Sequence, residues 1–359
     1  MSFASFLVLH DMDGMGNMKD MPAGHVMNHE SWWHHAIHWV TDAFTSPTSI
    51  FSPQATPAHT VFGLSMLVLA ITLAIFLTVS GLLLYAIIRF RHRASDRGEP
   101  TQVYGSKQIE VLWTVIPILI LVVLFLSTIR VISVTEMAKK PANALDVVVI
   151  GHQYWWEYRY PASGVVTANE LHIPASDPKA PTPTYMTMSS ADVDHSFWVP
   201  NLAGKMDLIP NKVNVMWMDP RNSGLYLGQC AQYCGMEHAK MLIRVYVDQP
   251  ADFAKWIEHQ KTAATEDPKT AEGRVAFEHT ACVNCHTVRG TAANGKFGPD
   301  LTHLASRDTL ASGVIKNNPQ NLRQWLDDPD SIKRGSLMPK MNLSNKELDA
   351  ITAYMTSLR

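Results

Sequence analysis

Two stretches of the chain carry no charge at all. Val61–Ile88 runs for 28 residues and Val111–Ile129 for 19. Each is long enough to cross a hydrocarbon core of about 30 Å as a helix. A pair of buried core helices would need a large soluble domain around them, which the chain does not supply. Beyond residue 140 the pattern changes to short runs of alternating apolar and polar side chains: LDVVVIGHQYWWEYRY, TYMTMSS, NKVNVMW and KMLIRVYV, parted by Pro, Gly and Asn. A period of two broken by turn residues predicts an all-β sandwich over residues 143–249. After Pro250 the segment ADFAKWIEHQK reads as a helix leading into a polar linker, so residues 250–272 join the sandwich to something else. Residues 273–359 open on a helical stretch, GRVAFEHTA, and close on another, NKELDAITAYMTSL. A length of 359 residues is consistent with several domains. The chain divides into an N-terminal segment 1–60, a transmembrane hairpin 61–130, the sandwich, the linker and a C-terminal helical module.

Charge gives the hairpin a direction. The loop between the two apolar stretches holds Arg89, Arg91, Arg93, Arg97 and Lys107 against Asp96 and Glu99, whereas residues 1–60 hold one Lys and five acids. Basic loops stay in the cytoplasm, so both termini and everything after residue 130 are expected on the outer side. A net charge of −2 and a pI near 6.8 make no case for nucleic acid. The N-terminal segment is rich in Met and His (Met12, Met15, Met18, Met21, His25, His29, His34, His35, His38), a composition that can bind copper. The other reading is a mobile tail followed by an interfacial segment that seats Trp32, Trp33 and Trp39 at the headgroups. No basic lead precedes the short apolar FASFLVL, so a standard signal peptide is not evident.

The four cysteines fall in two clusters. GQCAQYCGMEHAKM places Cys230, Cys234, His238 and Met241 in a C-x3-C-x3-H-x2-M array, with a further imidazole at His195 in SSADVDHSFWVP. Thiolate, imidazole and thioether form a soft ligand set, and a Met added to Cys and His leans toward a copper electron-transfer site. The plainer reading is a disulfide or a pair of buried thiols. The second cluster, CVNCH, reads as covalent c-type haem attachment through Cys282 and Cys285 with His286 as proximal ligand.

The first array resembles the binuclear copper centre, CuA, of subunit II of the haem–copper oxidases. The resemblance implies a cupredoxin-like Greek key holding two copper ions. The ligands would be His195, Cys230, Cys234, His238, Met241 and the backbone carbonyl of Gln232. The family usually has Glu at that last place. A backbone ligand is indifferent to the change, but a magnesium ion at the subunit interface, which the family's Glu carboxylate helps bind, loses that group. The aromatic run Tyr154, Trp155, Trp156 matches the family's run over the copper centre, which takes electrons from cytochrome c, although the family commonly has Trp first. By residues alone the run is ordinary strand packing. In KQIEVLWTVIPILIL, the positions Glu110, Trp113, Thr114 and Pro117 resemble the family's second helix, where the Glu stands at the mouth of a proton path into subunit I; otherwise Glu110 is an interfacial anchor. Asp192, Asp194 and Asp207 are either solvated charges or docking residues.

Residues 270–359 resemble a class I cytochrome c, an all-α fold. That implies Met338, the Met before Pro in KRGSLMP, as the sixth iron ligand, with Met341 as the other choice. It also implies that Gly273, Phe277 and Tyr354 form the contact between the first and last helices. Residues 143–249 hold seven basic and ten acidic side chains and residues 273–359 eleven and eight, so the modules carry −3 and +3 and should attract. Tethering adds an effective concentration of about millimolar.

The whole is therefore expected to be subunit II of a cytochrome c oxidase with a fused cytochrome c, in a bacterial inner membrane. Its partners would be subunit I, which reduces O2 to water and pumps protons, other oxidase subunits, and a donor cytochrome or cytochrome-containing respiratory complex. A copper-containing nitric oxide reductase subunit and a membrane-tethered copper-delivery protein are the alternatives. The ligands exclude a quinol oxidase subunit if they bind copper.

Overall fold

The computed structural model describes residues 41, 44–91, 98, 102 and 104–359; residues 46–359 form one connected unit. The N-terminal Met and His residues, the three indoles before residue 40, and Arg93, Asp96, Arg97 and Glu99 lie outside the described residues.

The hairpin consists of α1 (Thr56–Arg89) and α2 (Lys107–Thr135), which pack along each other. Both extend past the uncharged stretches, because polar residues at a bilayer boundary keep helical hydrogen bonds while their side chains reach water. Pro57 opens α1, where a missing N–H costs nothing. Their flanks are apolar and outward-facing, as in Phe76, Leu82, Leu121 and Phe125, which suits lipid rather than water. The Thr56 N–H and hydroxyl both donate to Asp219, at 2.7 and 2.6 Å, and so pin the start of α1 to the sandwich.

The sandwich has ten strands: β1 (Leu145–His152), β2 (Trp155–Tyr160), β3 (Val165–Ala168), β4 (Glu170–Pro174), β5 (Thr184–Ser190), β6 (His195–Trp198), β7 (Met206–Leu208), β8 (Asn214–Met218), β9 (Gly224–Cys230) and β10 (Leu242–Asp248). They form two five-stranded sheets, ordered β3-β2-β1-β5-β8 and β4-β10-β9-β6-β7. Each sheet contains one parallel pair, β1 with β5 and β4 with β10, among antiparallel neighbours. Alternation works as the pattern requires: Val147 and Val149 on β1, Met186 and Met188 on β5, and Val245 and Val247 on β10 all point into one core with Trp156, Tyr158 and Phe197.

The segment read as a linker begins as α3 (Pro250–Lys261), which packs Phe253, Trp256 and Ile257 against the sandwich. Trp256 stacks on His172 at 4.3 Å, so this helix extends the sandwich rather than bridging away from it.

The C-terminal module contains α4 (Ala271–His279), α5 (Cys282–Cys285), a two-stranded ribbon of β11 (Thr309–Leu310) and β12 (Ile315–Lys316), then α6 (Pro319–Asp327), α7 (Pro329–Ile332) and α8 (Asn345–Ser357). α4 crosses α8 at Gly273, where a Cβ would lie 2.0 Å from the Ala350 carbonyl oxygen, so only glycine permits this approach. Phe277 and Tyr354 meet beside it, with ring centres 5.7 Å apart. Ser344 and Glu347 form a capping box that starts α8.

Candidate metal and haem centres

The soft ligand set assembles at one end of the sandwich. β9 ends at Cys230, a loop carries Cys234, one turn of 3-10 helix holds His238, and Met241 immediately precedes β10. His195 opens β6, the neighbour of β9. The two cysteine sulfurs lie 3.9 Å apart, far beyond disulfide length, so the pair is two buried free thiols and not a disulfide. From Cys234 Sγ it is 3.7 Å to His238 Nδ1 and 3.9 Å to Met241 Sδ, and from Cys230 Sγ it is 3.2 Å to the Gln232 carbonyl oxygen. The His195, Cys230 and Cys234 ligand atoms lie within 4.8 Å of one another.

Electrostatics ask for a cation here. Cys230 and Cys234 titrate as a pair: the hydrogen bond between them draws Cys230 down to about 3, and that bond together with burial holds the proton on Cys234. A buried thiolate therefore faces His195 Nδ1, which is itself buried with no hydrogen-bond partner. The other ring nitrogen, Nε2, is bonded to Asp192 at 2.8 Å. Burial pushes Asp192 up, but the bonds from His195 and from the Gln153 and Val193 amides outweigh it and hold the carboxyl below its usual range. Asp192 is thus the partner that orients an imidazole, not a solvated charge. The donor set fits copper: two cysteine sulfurs, a thioether and imidazole nitrogens converge, with His195 Nδ1 on the cysteine side of its ring.

The aromatic run separates into different roles. Trp156 is fully buried and packs edge-on to His195 and Phe197, at 6.0 and 5.6 Å. Trp155 stacks on His152 at 4.1 Å. Tyr154 leans toward the ligand loop, where its hydroxyl accepts from the Met236 amide at 3.1 Å. Gly235 makes room for it: its φ is 130° and a Cβ would lie 2.3 Å from the Tyr154 hydroxyl oxygen. Gln153 Nε2 donates to the Cys234 carbonyl at 2.7 Å, a contact that nothing in the sequence signalled. Behind the run, buried Glu157 accepts from His152 and Arg159. Burial raises its carboxyl, yet these two bonds win and leave it below the ordinary value. Its stabilising contribution is therefore complete above that value and lost as pH falls through the lowered one. We expect Glu157→Gln to cost about 1–3 kcal/mol at pH 7, with the gap from the native chain closing in acid, as read by thermal unfolding at several pH values.

In the C-terminal module, Cys282, Cys285, His286, Met338 and Met341 line one cavity with apolar Leu301, Leu322 and Trp325. His286 Nδ1 is bonded to the Pro299 carbonyl at 2.8 Å, which leaves Nε2 for a ligand. Burial pushes the imidazole pKa down, keeping it neutral and able to bind iron. These residues fit a covalently attached haem. Met338 also packs against the module's core. The opposite wall of the same cavity comes from the sandwich, through His152, Gln153, Tyr154 and Trp155.

Glu110 joins neither centre. It sits exposed in the first turn of α2, at the loop end of the hairpin and about 40 Å of helix from the sandwich. Asp207, on β7, accepts from the Asn214 side chain through its carbonyl, and Asp194 is exposed.

Comparison with known proteins gives three family matches. The model described as cytochrome C oxidase subunit II, transmembrane domain, matches residues 46–131; that for the periplasmic domain of the same subunit matches 178–247; and cytochrome c matches 270–359. Cytochrome c oxidase subunit 2 of Alkalihalophilus pseudofirmus is 32% identical over 314 residues, covering 86% of this chain and 89% of its own. The Bacillus subtilis subunit 2 is 34% identical over 298 residues, covering 77% and 82%. Among solved structures, the periplasmic domain of subunit II of cytochrome oxidase from Bradyrhizobium japonicum is 28% identical, covers 34% of this chain and 96% of its own, and has a TM-score of 0.32.

Proposed function

The chain belongs to the family of cytochrome c oxidase subunit 2, here with a C-terminal cytochrome c domain, and from that premise we propose that it is an electron inlet whose two redox sites sit on either side of Tyr154. As an oxidase subunit II it associates with subunit I and other oxidase subunits in the membrane. The copper and haem that the family implies supply one-electron couples of small reorganisation. The rest is the work of this chain's residues.

Cys230, Cys234, His195, His238, Met241 and the Gln232 carbonyl hold the copper pair; Cys282, Cys285, His286 and Met338 hold the haem. Asp192 keeps His195 turned so that Nδ1 faces the sulfurs. His195 and Cys230 sit on strands and the other ligands on the loop between β9 and β10; Cys230, Cys234 and Met241 are buried, so donor positions need not change with the charge of what they hold. One observation carries the reading: a single cavity is walled by the haem-binding residues on one side and by Tyr154 on the other, while the adjacent Gln153 hydrogen-bonds Cys234. Tyr154 takes the place that the family commonly gives to Trp, and it connects the cavity to the ligand loop through Met236.

Orientation follows from charge. Arg89, Arg91 and Lys107 mark the hairpin loop as cytoplasmic, which puts both redox modules outside and Glu110 inside, where a carboxylate could pass protons to subunit I. Gln232 brings no carboxylate to a magnesium ion at the interface.

The test is to isolate the chain with its partner subunits and supply reduced cytochrome c. Oxygen uptake is expected, and Tyr154→Ala should slow it by roughly tenfold or more if the ring positions the path. Uptake of nitric oxide in place of oxygen would overturn the assignment of the partner, and unchanged turnover in Tyr154→Ala would remove Tyr154 from the path.

A further inference from the structure

The C-terminal module does not hang from its linker; it is seated on the sandwich through two buried charges that face in opposite directions. The first is Glu170 at the start of β4, 4% exposed, whose bonds to the module come from residues 308 and 309. Its Oε2 accepts from the Asp308 amide at 3.1 Å, and its Oε1 accepts from the Thr309 amide at 2.9 Å and the Thr309 hydroxyl at 2.6 Å. The second is Lys333, 3% exposed, in the loop between α7 and Met338. Its Nζ crosses the boundary and donates to the Tyr154 carbonyl at 2.6 Å.

Burial of a lysine is costly, and here it pushes the ammonium pKa down to about 7. Such a cost persists only where the contact is repaid in geometry or function. Between the two charges the ligand loop itself is tied to the module. Lys240 Nζ donates to the Ile332 carbonyl at 2.8 Å, and the Leu242 amide donates to the Ser312 carbonyl at 3.3 Å, one on each side of Met241. At the far edge the Tyr246 hydroxyl donates to Asp308 at 2.6 Å.

We propose that Glu170 and Lys333 are positioning residues that latch the haem-binding module against Tyr154, so that the module is a fixed internal donor rather than a swinging one. The inference rests on the electron-inlet reading for its purpose, but not for its geometry. A fixed module keeps one wall of its cavity on Tyr154 at all times. It also covers that residue, so an outside donor must deliver to the haem side and cannot reach Tyr154 directly.

The experiment uses the full holo-chain with its partner subunits, comparing the native protein with Glu170→Gln, Lys333→Arg and the double variant Glu170→Ala/Lys333→Met. Hydrogen exchange at the Asp308 and Thr309 amides reads the latch directly, without electron flow. Exchange should quicken at least ~10-fold in the double variant and less in Glu170→Gln, which keeps an acceptor. Flash reduction of the haem, followed by the rate at which copper is reduced, reads the consequence. That rate should fall ~10-fold or more in the double variant and become dependent on solvent viscosity, as motion of the module takes over, while Lys333→Arg retains most of it. Haem and copper absorption report whether each variant is folded, and the two conservative variants serve if the double one is not. Unchanged exchange and an unchanged, viscosity-independent rate in the variants would overturn the latch. Absence of haem-to-copper transfer in the native protein would instead overturn the electron-inlet reading, with the exchange data still deciding the latch.

Discussion

Copper content is expected to fall to near zero in Cys230→Ser, and oxygen uptake with it, while the haem absorption survives. Within the thiol pair the bond to Cys234 draws Cys230 toward the thiolate, and its sulfur lies 3.2 Å from the Gln232 carbonyl oxygen. Serine offers a hard, protonated oxygen in its place, so a soft cation loses both charge and covalency. The loss should exceed the ~10–100-fold in affinity that removal of an outer partner costs. Asp192→Asn, which leaves every ligand in place but weakens the grip on His195 Nε2, sets that lower scale within the same chain. Metal analysis and spin resonance of the purified complex check both. Copper retained at two per chain in Cys230→Ser would place the centre elsewhere.

The contrast between these two variants marks what could be read in the chain and what could not. C-x3-C-x3-H-x2-M is a local array, and a single loop between β9 and β10 brings its members together, so spacing alone announced it. The hairpin was legible for a similar reason, since lipid demands an uninterrupted apolar run. Even so, its ends were read several residues short, because polar side chains at Thr56, His59 and Gln108 do not stop a helix. Long-range pairings left no trace. Gln153 reaches a carbonyl 81 residues away and Glu170 an amide 139 residues away, and neither residue type is informative by itself.

Opposite module charges pointed to the docking but misled about its means. Among the described residues no ion pair joins the sandwich to the C-terminal module. Two of the contacts run instead from single buried charged side chains, Glu170 and Lys333, to backbone groups, and their strength depends on burial rather than on net charge. The helix expected at the head of the linker is present as α3, but its polar composition did not show that three of its apolar side chains close the edge of the sandwich.

The haem side yields the other large effect. Met338→Ala should lower the haem midpoint potential by on the order of 0.2 V, a fraction of the ≈0.8 V over which axial ligands act, whereas Met341→Ala should leave it nearly unchanged. Both thioethers line the cavity, but Met338 also packs against the module's core, and its amide bonds to Ser336 Oγ at 3.3 Å. The following Pro339 disfavours a helical backbone at Met338 and narrows the conformations open to it. A thioether opposite a neutral imidazole favours the reduced iron, and its loss removes that preference. At 59 mV per decade for one electron, ~0.2 V shifts the equilibrium with an outside donor by about three decades, so reduction by cytochrome c should stall before copper is reached. Potentiometric titration of the two variants decides the matter: a drop in Met341→Ala instead would move the sixth ligand three residues along the loop, and a drop in neither would put some other group on the iron.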